Sequence, residues 1–194
     1  MHLLYDCEII KCIPPKTGAL DPDLEYCNGW EDYANMGISV VGWAVLGEGA
    51  SISDFSDPAH FEYFRSELAA KAVNVIGFNS RNFDDRLMAA NGINITTTYD
   101  LLEEVRIAAG FEAHRESVPK GFSYSLDAIA RANGTQKTCS GALAPVLWQQ
   151  GRKLAVIDYC LNDVHITKLL LNLGLAGELA DPNTGNLLQL RGLG

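Results

Sequence analysis

Short apolar runs bounded by turn-forming residues predict the strands of this chain. Leu, Ile, Val, Tyr and Cys dominate these runs, which cover 2–13, 37–46, 52–55, 73–78 and 93–98. The segment 14–36 is instead dense in Pro, Gly, Asp and Asn, which predicts a long loop. A turn signal at 181–185 predicts that two short strands are joined near the end of the sequence.

Sequence signals for helix starts and helix ends lie between these strands and after the last of them. They predict helices at about 58–71, 82–91, 100–109, 126–133, 143–150 and 154–173. Asp57, Asp100 and Ser125 are the expected N-cap residues. The last helix is the longest, and its apolar positions recur close to the helical period. Strands that alternate with helices predict an α/β sheet with helices on its faces, built as one domain over 1–194.

The overall charge limits how the protein can contact a polyanion. Fifteen Lys and Arg against 24 Asp and Glu leave a formal net charge of −9. This argues against coating long duplexes by phosphate neutralisation, so any contact with nucleic acid must be local. Carboxylates gathered in one pocket and neutralised by a metal ion would be compatible with a small site that acts on a chain end.

Cysteine usage and hydropathy indicate a compartment. The five cysteines include no C-x-x-C pair and follow no zinc-ligand spacing, which fits reduced, mostly structural thiols. No run approaches the roughly 18 apolar residues of a membrane span. No signal-like apolar segment precedes Asp6. We therefore expect a cytoplasmic protein with no membrane partner.

Two acids interrupt the first predicted strand. Asp6 and Glu8 are two residues apart, so both side chains point to one face while Cys7 points to the other. Neighbouring carboxylates on a buried face are costly without compensation. A bound metal ion is the simplest compensation, and a strand with one solvated face is the alternative.

Three further residues also have both a functional and an ordinary interpretation. Asp84 lies in the first turn of a helix that follows a strand, where ligand sites of α/β sheets cluster, but it could equally serve the helix dipole. Tyr159 and Asp163 are four residues apart and share one helical face. Their alternative roles are a Tyr at the core edge and a solvated Asp.

Together these residues resemble a known family. Asp6-Cys7-Glu8, the segment 77–84 (GFNSRNFD) and the segment 159–164 (YCLNDV) resemble, in order, motifs I, II and III of the DEDD exonucleases. Segments 98–102 and 121–130 resemble connecting segments of that family, so the resemblance covers most of the chain.

The third motif indicates the DEDDy branch. Tyr159 stands four residues before Asp163, whereas the other branch has His five before, where this chain has Asp158. His165 lies off the required spacing and is expected to be a surface or hydrogen-bonded His. The chain departs from the family at Ile9, where Thr is common, and this change bears on contacts with the terminal nucleotide.

The resemblance implies a ribonuclease H-like fold, with a central mixed sheet flanked by helices, and a two-metal mechanism with Mg²⁺ or Mn²⁺. It implies that Asp6 bridges two ions roughly 4 Å apart. Glu8 and Asp163 would complete the ion on the nucleophile side, and Asp84 would hold the other. Tyr159 would orient the attacking water, because a hydroxyl with a pKa near 10 is a poor base at neutral pH.

Contacts with substrate are expected next to motif II and in the long loop. Asn79 and Arg81 precede the motif II acid and are the predicted substrate-binding residues, whereas Phe83 is expected in the core. Loop aromatics could stack on unpaired bases or pin the loop to the sheet: Tyr26, Trp30 and Tyr33. Other basic residues could meet phosphates, although a solvated surface is the commoner role of each: Arg86, Lys120, Lys137, Arg152 and Lys153.

The predicted function is hydrolysis of phosphodiesters at the 3' end of single-stranded DNA or RNA. A catalytically weak or inactive nucleic-acid-binding module is one alternative. A proofreading or processing subunit that acts with separate replication or repair proteins is another. No motif specifies a contact near the 2' position, so the choice between DNA and RNA stays open.

Overall fold

A five-stranded mixed sheet forms the centre of the computed structural model, which describes residues 1–194. Its strands are β1 (His2–Ile9), β2 (Ile38–Val45), β3 (Ala50–Asp54), β4 (Asn74–Gly77) and β5 (Tyr99–Asp100), in the order β3-β2-β1-β4-β5. β2 is antiparallel to β1 and β3, whereas β4 is parallel to β1 and β5. The mixed sheet predicted for this chain is therefore confirmed.

Helices cover the sheet. They are α1 (Tyr33–Met36), α2 (Pro58–Tyr63), α3 (Asp84–Ala90), α4 (Leu101–Ala108), α5 (Leu126–Ala132), α6 (Ala144–Gln149) and α7 (Lys153–Ala176). A π turn and a 3-10 turn continue α2 to Lys71. The strands β6 (Leu179–Ala180) and β7 (Leu187–Leu188) pair antiparallel across the predicted final turn. None of the helices combines the length and the apolar character that crossing a membrane requires.

Alternation along β1 divides its side chains between two apolar layers. Leu4 packs with residues of α4, α5 and α7, whereas Leu3 and Cys7 pack with residues of α3 and of the α2 extension. Because successive side chains of a strand point to opposite faces, Asp6 and Glu8 continue the face of Leu4. The two acids of β1 therefore lie on the face that α7 covers.

A glycine of β2 allows α7 to approach this face closely. Gly42 pairs with Asp6 in the sheet, and a Cβ atom on it would lie 2.9 Å from the Cys160 Sγ atom and 3.0 Å from a Val164 methyl group. Both contacts are tighter than side-chain packing tolerates without displacement. The missing side chain thus permits the helix that carries Tyr159 and Asp163 to lie against β1.

Gly42→Ala is accordingly expected to destabilise the protein by about 1–3 kcal/mol, the usual cost of overpacking a core. Gly49→Ala is the matched control, because nothing lies within 4 Å of a Cβ atom at that position. Thermal unfolding of both variants measures the difference. Equal unfolding temperatures would show that α7 and β2 do not need the glycine for their contact.

The expected N-caps are confirmed, but one expected strand is wrong. The side chains of Asp57, Asp100 and Ser125 each accept a backbone N–H in the first turn of their helix. Segment 93–98 forms no strand, although its Ile side chains are buried. The backbone N–H and the hydroxyl of Thr97 donate instead to the Asp85 carboxylate, at 2.9 and 2.7 Å, so a side chain replaces the neighbouring strand.

Candidate active site

The acids of β1 form the centre of a buried cluster under α7. Glu8 is 7% exposed, and Asp6 is partly buried. One carboxylate oxygen of each and the Cys160 Sγ atom all lie within 4.8 Å of one another. The strand face predicted from the two-residue spacing is therefore covered, and the alternative of a solvated face does not hold.

The motif III residues reach this cluster from α7. Tyr159 and Asp163 lie one turn apart on the helix and are 3% and 2% exposed. The Asp163 Oδ2 atom accepts a hydrogen bond from the Lys137 ammonium at 2.5 Å. Its Oδ1 atom is buried and has no hydrogen-bond partner. Asp163 thus carries an unsatisfied acceptor, which is costly in a folded protein.

Asp84 approaches the end of β1 from the first turn of α3. It is 6% exposed and accepts a hydrogen bond at 2.9 Å from the thiol of Cys7. Among neighbouring charges, that of Asp84 has the largest effect in raising the pKa of Asp6. The structure therefore brings the four predicted acids into electrostatic contact, two from β1 and one each from α3 and α7.

A tight turn after β4 positions Asp84. Asn79 adopts a left-handed conformation with φ of 61°, which Asn tolerates better than most residues. Its backbone N–H donates to the Asp100 carboxylate at 3.0 Å, and that of Arg81 donates to it at 3.3 Å. Asp100 also caps α4. One buried carboxylate thus ties the motif II turn to the next helix.

The two predicted substrate-binding residues make mainly local contacts. The Asn79 side-chain oxygen accepts from the Asn82 amide at 3.0 Å. The Arg81 guanidinium donates to the carbonyl oxygens of Thr97 and Thr98 at 3.0 and 2.7 Å, and it pairs with Glu103. Most Arg81 donors are therefore occupied within the fold, and contact of either residue with a substrate stays a prediction.

Burial raises the pKa of every acid in the cluster. Burial is the largest cause for Asp6 and Glu8, followed for Glu8 by the charge of Asp6. It raises the pKa of Asp84 to about 7, against hydrogen bonds that lower it. The pKa of Asp163 is raised by burial, although Lys137 opposes the shift. The site therefore requires positive charge to ionise fully at neutral pH.

The phenol of Tyr159 is held in its protonated form. Burial, and then the charges of Glu8 and Asp163, raise its pKa well above the ordinary value. A hydroxyl in this environment keeps its proton at neutral pH. The structure thus agrees with an orienting role better than with proton abstraction by this residue.

Lys137 occupies this site although the sequence favoured a solvated surface position. Its side chain is only 21% exposed, and its ammonium lies 5.0 Å from the centroid of the Tyr159 ring. Its charge lowers the pKa of Asp6, Glu8 and Asp163. No spacing rule singles out a loop lysine, so only the three-dimensional structure shows that it neutralises the cluster.

Cys160 is the second member of the cluster that the sequence did not indicate. It stands three residues before Asp163, so helical spacing alone places both on one face. Its Sγ atom accepts the Gly42 backbone N–H at 3.2 Å, and burial raises the pKa of its thiol. A protonated thiol is a poor ligand for hard cations, so Cys160 serves chiefly to pack α7 against β2.

The donors of the cluster fit a hard divalent cation. Carboxylate oxygens are the ligands that Mg²⁺ and Mn²⁺ prefer. The free Oδ1 atom of Asp163 and the ammonium of Lys137 show that the cluster has both an unused acceptor and a demand for positive charge. Asp6, Glu8, Asp84 and Asp163 are the residues that would hold such an ion.

These pKa shifts predict how stability depends on pH. Acids with raised pKa values keep their protons in the folded state at pH values where the unfolded chain has lost them. Between about pH 4 and pH 7 the metal-free protein should therefore lose stability as pH rises. Thermal unfolding in chelator should show this trend, and Asp84→Asn should weaken it because that residue then no longer titrates. An unchanged trend in Asp84→Asn would contradict the assignment.

Comparison with known proteins shows the fold and not a sequence family. No family model matches the chain, and no curated protein matches it in sequence. A family B DNA polymerase from the hyperthermophilic archaeon Pyrobaculum calidifontis is similar over 95% of this chain, with a TM-score of 0.57 and 15% identity. RNase D of Trypanosoma brucei is similar over 95% of it, with a TM-score of 0.54 and 15% identity.

The similarity covers only part of each of those proteins. This chain spans 26% of the polymerase and 58% of the RNase D. The common part is an α/β fold with a mixed five-stranded sheet flanked by helices. The fold class that the sequence resemblance implied is therefore confirmed.

Proposed function

We propose that this protein is a metal-dependent 3'-5' exonuclease of the DEDDy type, which hydrolyses the terminal phosphodiester of a single-stranded nucleic acid by a two-metal mechanism. One observation carries the proposal. The buried carboxylates of three separate motifs act on one another electrostatically, and Lys137 neutralises their negative charge only in part. A purely structural cluster would satisfy its buried acceptors within the fold.

The acids have distinct positions toward the reacting phosphate. Asp6 and Glu8 present their carboxylates from one face of β1, and Asp163 lies on α7, which covers that face. Asp84 lies in the first turn of α3 and accepts a hydrogen bond from Cys7, whose side chain points to the other face. Bound divalent cations would acidify the attacking water and stabilise the charge that develops on the leaving 3' oxygen. The four carboxylates would determine where the positive charge of these cations lies relative to the phosphate.

Tyr159 has the task of orientation. Its hydroxyl remains protonated, so it can donate to or accept from a water molecule but does not remove a proton efficiently. Its ring packs in an apolar cluster with Val40, Leu147 and Val156. The hydroxyl is therefore held in place by the packing of the ring, as orientation of a nucleophile requires.

Tyr159→Phe tests this role, because it keeps the ring and removes only the hydroxyl. We expect the turnover rate to fall by about 10–100-fold, in the range of lost positioning and proton-transfer contributions. Metal affinity, measured by calorimetry, should change little because the carboxylates remain. A variant with full turnover would remove Tyr159 from the mechanism, whereas lost metal binding would show that its role is structural.

A polar groove beside Lys137 supports access by an extended strand. It has a volume of about 440 Å³ and is lined mainly by polar residues, among them Ser125, Arg131, Thr138 and Ser140. Arg131 pairs with Asp127 at 2.8 Å, which leaves Lys137 as the groove residue directed into the carboxylate cluster. Lys137 is thus common to the groove and to the carboxylate cluster.

Matched DNA and RNA oligonucleotides with free or blocked 3' ends test the substrate. The proposal predicts shortening only of strands with free 3' ends. Binding of all strands without any turnover in Mg²⁺ or Mn²⁺ would favour the alternative of an inactive binding module.

A role beside separate replication or repair proteins is a second proposal, supported by the likeness to part of a DNA polymerase. Faster removal of a mismatched than of a paired 3' nucleotide would favour it. Equal rates on both ends would count against it.

A further inference from the structure

We propose that Trp30 is a stacking surface for an unpaired nucleobase of the strand held at the carboxylate site. This inference rests on the proposed function and adds a specificity-determining residue that lies outside the three motifs. It concerns the long loop between β1 and β2, which none of the catalytic roles uses.

Trp30 is exposed beside Phe83, the residue that precedes Asp84 in the chain. The residue is 62% exposed, whereas the other two tryptophans, Trp43 and Trp148, are partly buried. Its ring centroid lies 6.2 Å from that of Phe83, at an angle of 69°. Phe83 directly precedes Asp84, so the open aromatic surface packs on the chain neighbour of one of the four acids.

The surrounding loop is held firmly in place. Asp32 accepts hydrogen bonds from the backbone and the side chain of Asn28 at 2.8 and 2.7 Å, and from the side chain of Asn35 at 2.7 Å. Gln149 of α6 pairs with the backbone of Glu25 at 2.7 and 3.0 Å. Trp30 is therefore presented by an anchored loop, which lowers the entropy cost of binding to it.

A second aromatic residue already pins the loop to motif II. The Tyr33 ring centroid lies 5.9 Å from that of Phe83, and its hydroxyl donates to the Asn82 carbonyl at 3.3 Å. Tyr33 thus supplies the contact that attaches this part of the loop. Trp30 adds an edge contact to the same Phe83 ring and leaves most of its own surface open to solvent.

An unpaired base is the ligand that fits this surface best. Each base has an aromatic face, so stacking on a tryptophan does not depend on the sequence of the nucleic acid. That face is accessible only in single-stranded regions. The adjoining carboxylate site acts on a strand end in the proposed function, which places unpaired bases close to it. A single ring is too small to hold an apolar protein segment by itself.

The test compares base-bearing and abasic strands. A labelled single-stranded oligonucleotide, and the same strand with abasic 3'-terminal nucleotides, are titrated with the full chain in Ca²⁺ to limit hydrolysis. Trp30→Ala should weaken binding of the base-bearing strand about tenfold, within the range of base–aromatic stacking, and should leave the abasic strand unchanged. Trp30→Phe should retain most of the affinity. Leu20→Ala is the control, because Leu20 is a 52% exposed apolar residue of the same loop.

The outcomes separate this inference from the function on which it rests. Equal losses on both strands, or no loss on either, would overturn the stacking role, whatever the turnover of the wild-type chain. Recovery by Trp30→Phe excludes an effect of misfolding. Failure of the wild-type chain to hydrolyse any strand in Mn²⁺ would instead overturn the exonuclease proposal, while the binding comparison would still report on Trp30.

Discussion

Asp163→Asn is expected to lower metal-dependent hydrolysis by about a thousandfold or more, because a metal ion contributes several kcal/mol of transition-state stabilisation. The Asp163 carboxylate is 2% exposed, its Oδ1 atom has no hydrogen-bond partner, and its charge raises the pKa of Asp6 and Glu8. Asn keeps the shape of the side chain but removes the charge. Rates on a labelled single strand in Mn²⁺ measure the effect.

Asp158→Asn is the matched control for this substitution. Asp158 lies on the same helix but is exposed to solvent. It should retain the wild-type rate, and thermal unfolding should show that both variants are folded. Full activity in a folded Asp163→Asn protein would exclude the carboxylate cluster as the active site.

Lys137→Met should destabilise the metal-free protein at neutral pH by about 2 kcal/mol, less than the cost of breaking a fully buried ion pair because part of the side chain is solvated. For a chain of this size that corresponds to roughly 4–8 °C in melting temperature. Mn²⁺ should restore stability, since it binds the folded state only and no longer competes with the ammonium. Mn²⁺ should also bind the Lys137→Met variant more tightly than the wild type.

Lys153→Met is the control for Lys137→Met. The Lys153 ammonium also lies over an aromatic ring, 4.5 Å from the centroid of Trp148, but it pairs with no acid of the cluster. Its loss should neither lower stability to the same extent nor change metal affinity. Equal behaviour of the two variants would show that Lys137 does not neutralise the site.

The sequence predicted those parts of the fold that local rules determine. The period-two alternation of β1 predicted that Asp6 and Glu8 share a face, and the N-cap signals at Asp57 and Asp100 predicted two helix starts correctly. The prediction of a strand at 93–98 was wrong because the burial of alternate residues does not show which groups accept the backbone hydrogen bonds of the segment. The Asp85 carboxylate fills that role, and nothing local indicates it.

The candidate site shows the same division. Helical spacing predicted that Tyr159 and Asp163 lie together, because four residues return to the same face. Lys137 could not be predicted, since its approach to Asp163 depends on how the loop between α5 and α6 crosses the molecule. The need for glycine at position 42 likewise arises only from the contact between β2 and α7.

The most direct test of the proposed function is the direction of degradation of a 5'-labelled single strand. Wild-type protein in Mn²⁺ should produce a ladder of products shortened stepwise from the 3' end, and chelator or a blocked 3' end should prevent it. Internal cuts, shortening from the 5' end, or equal degradation in chelator would contradict a metal-dependent 3'-5' exonuclease.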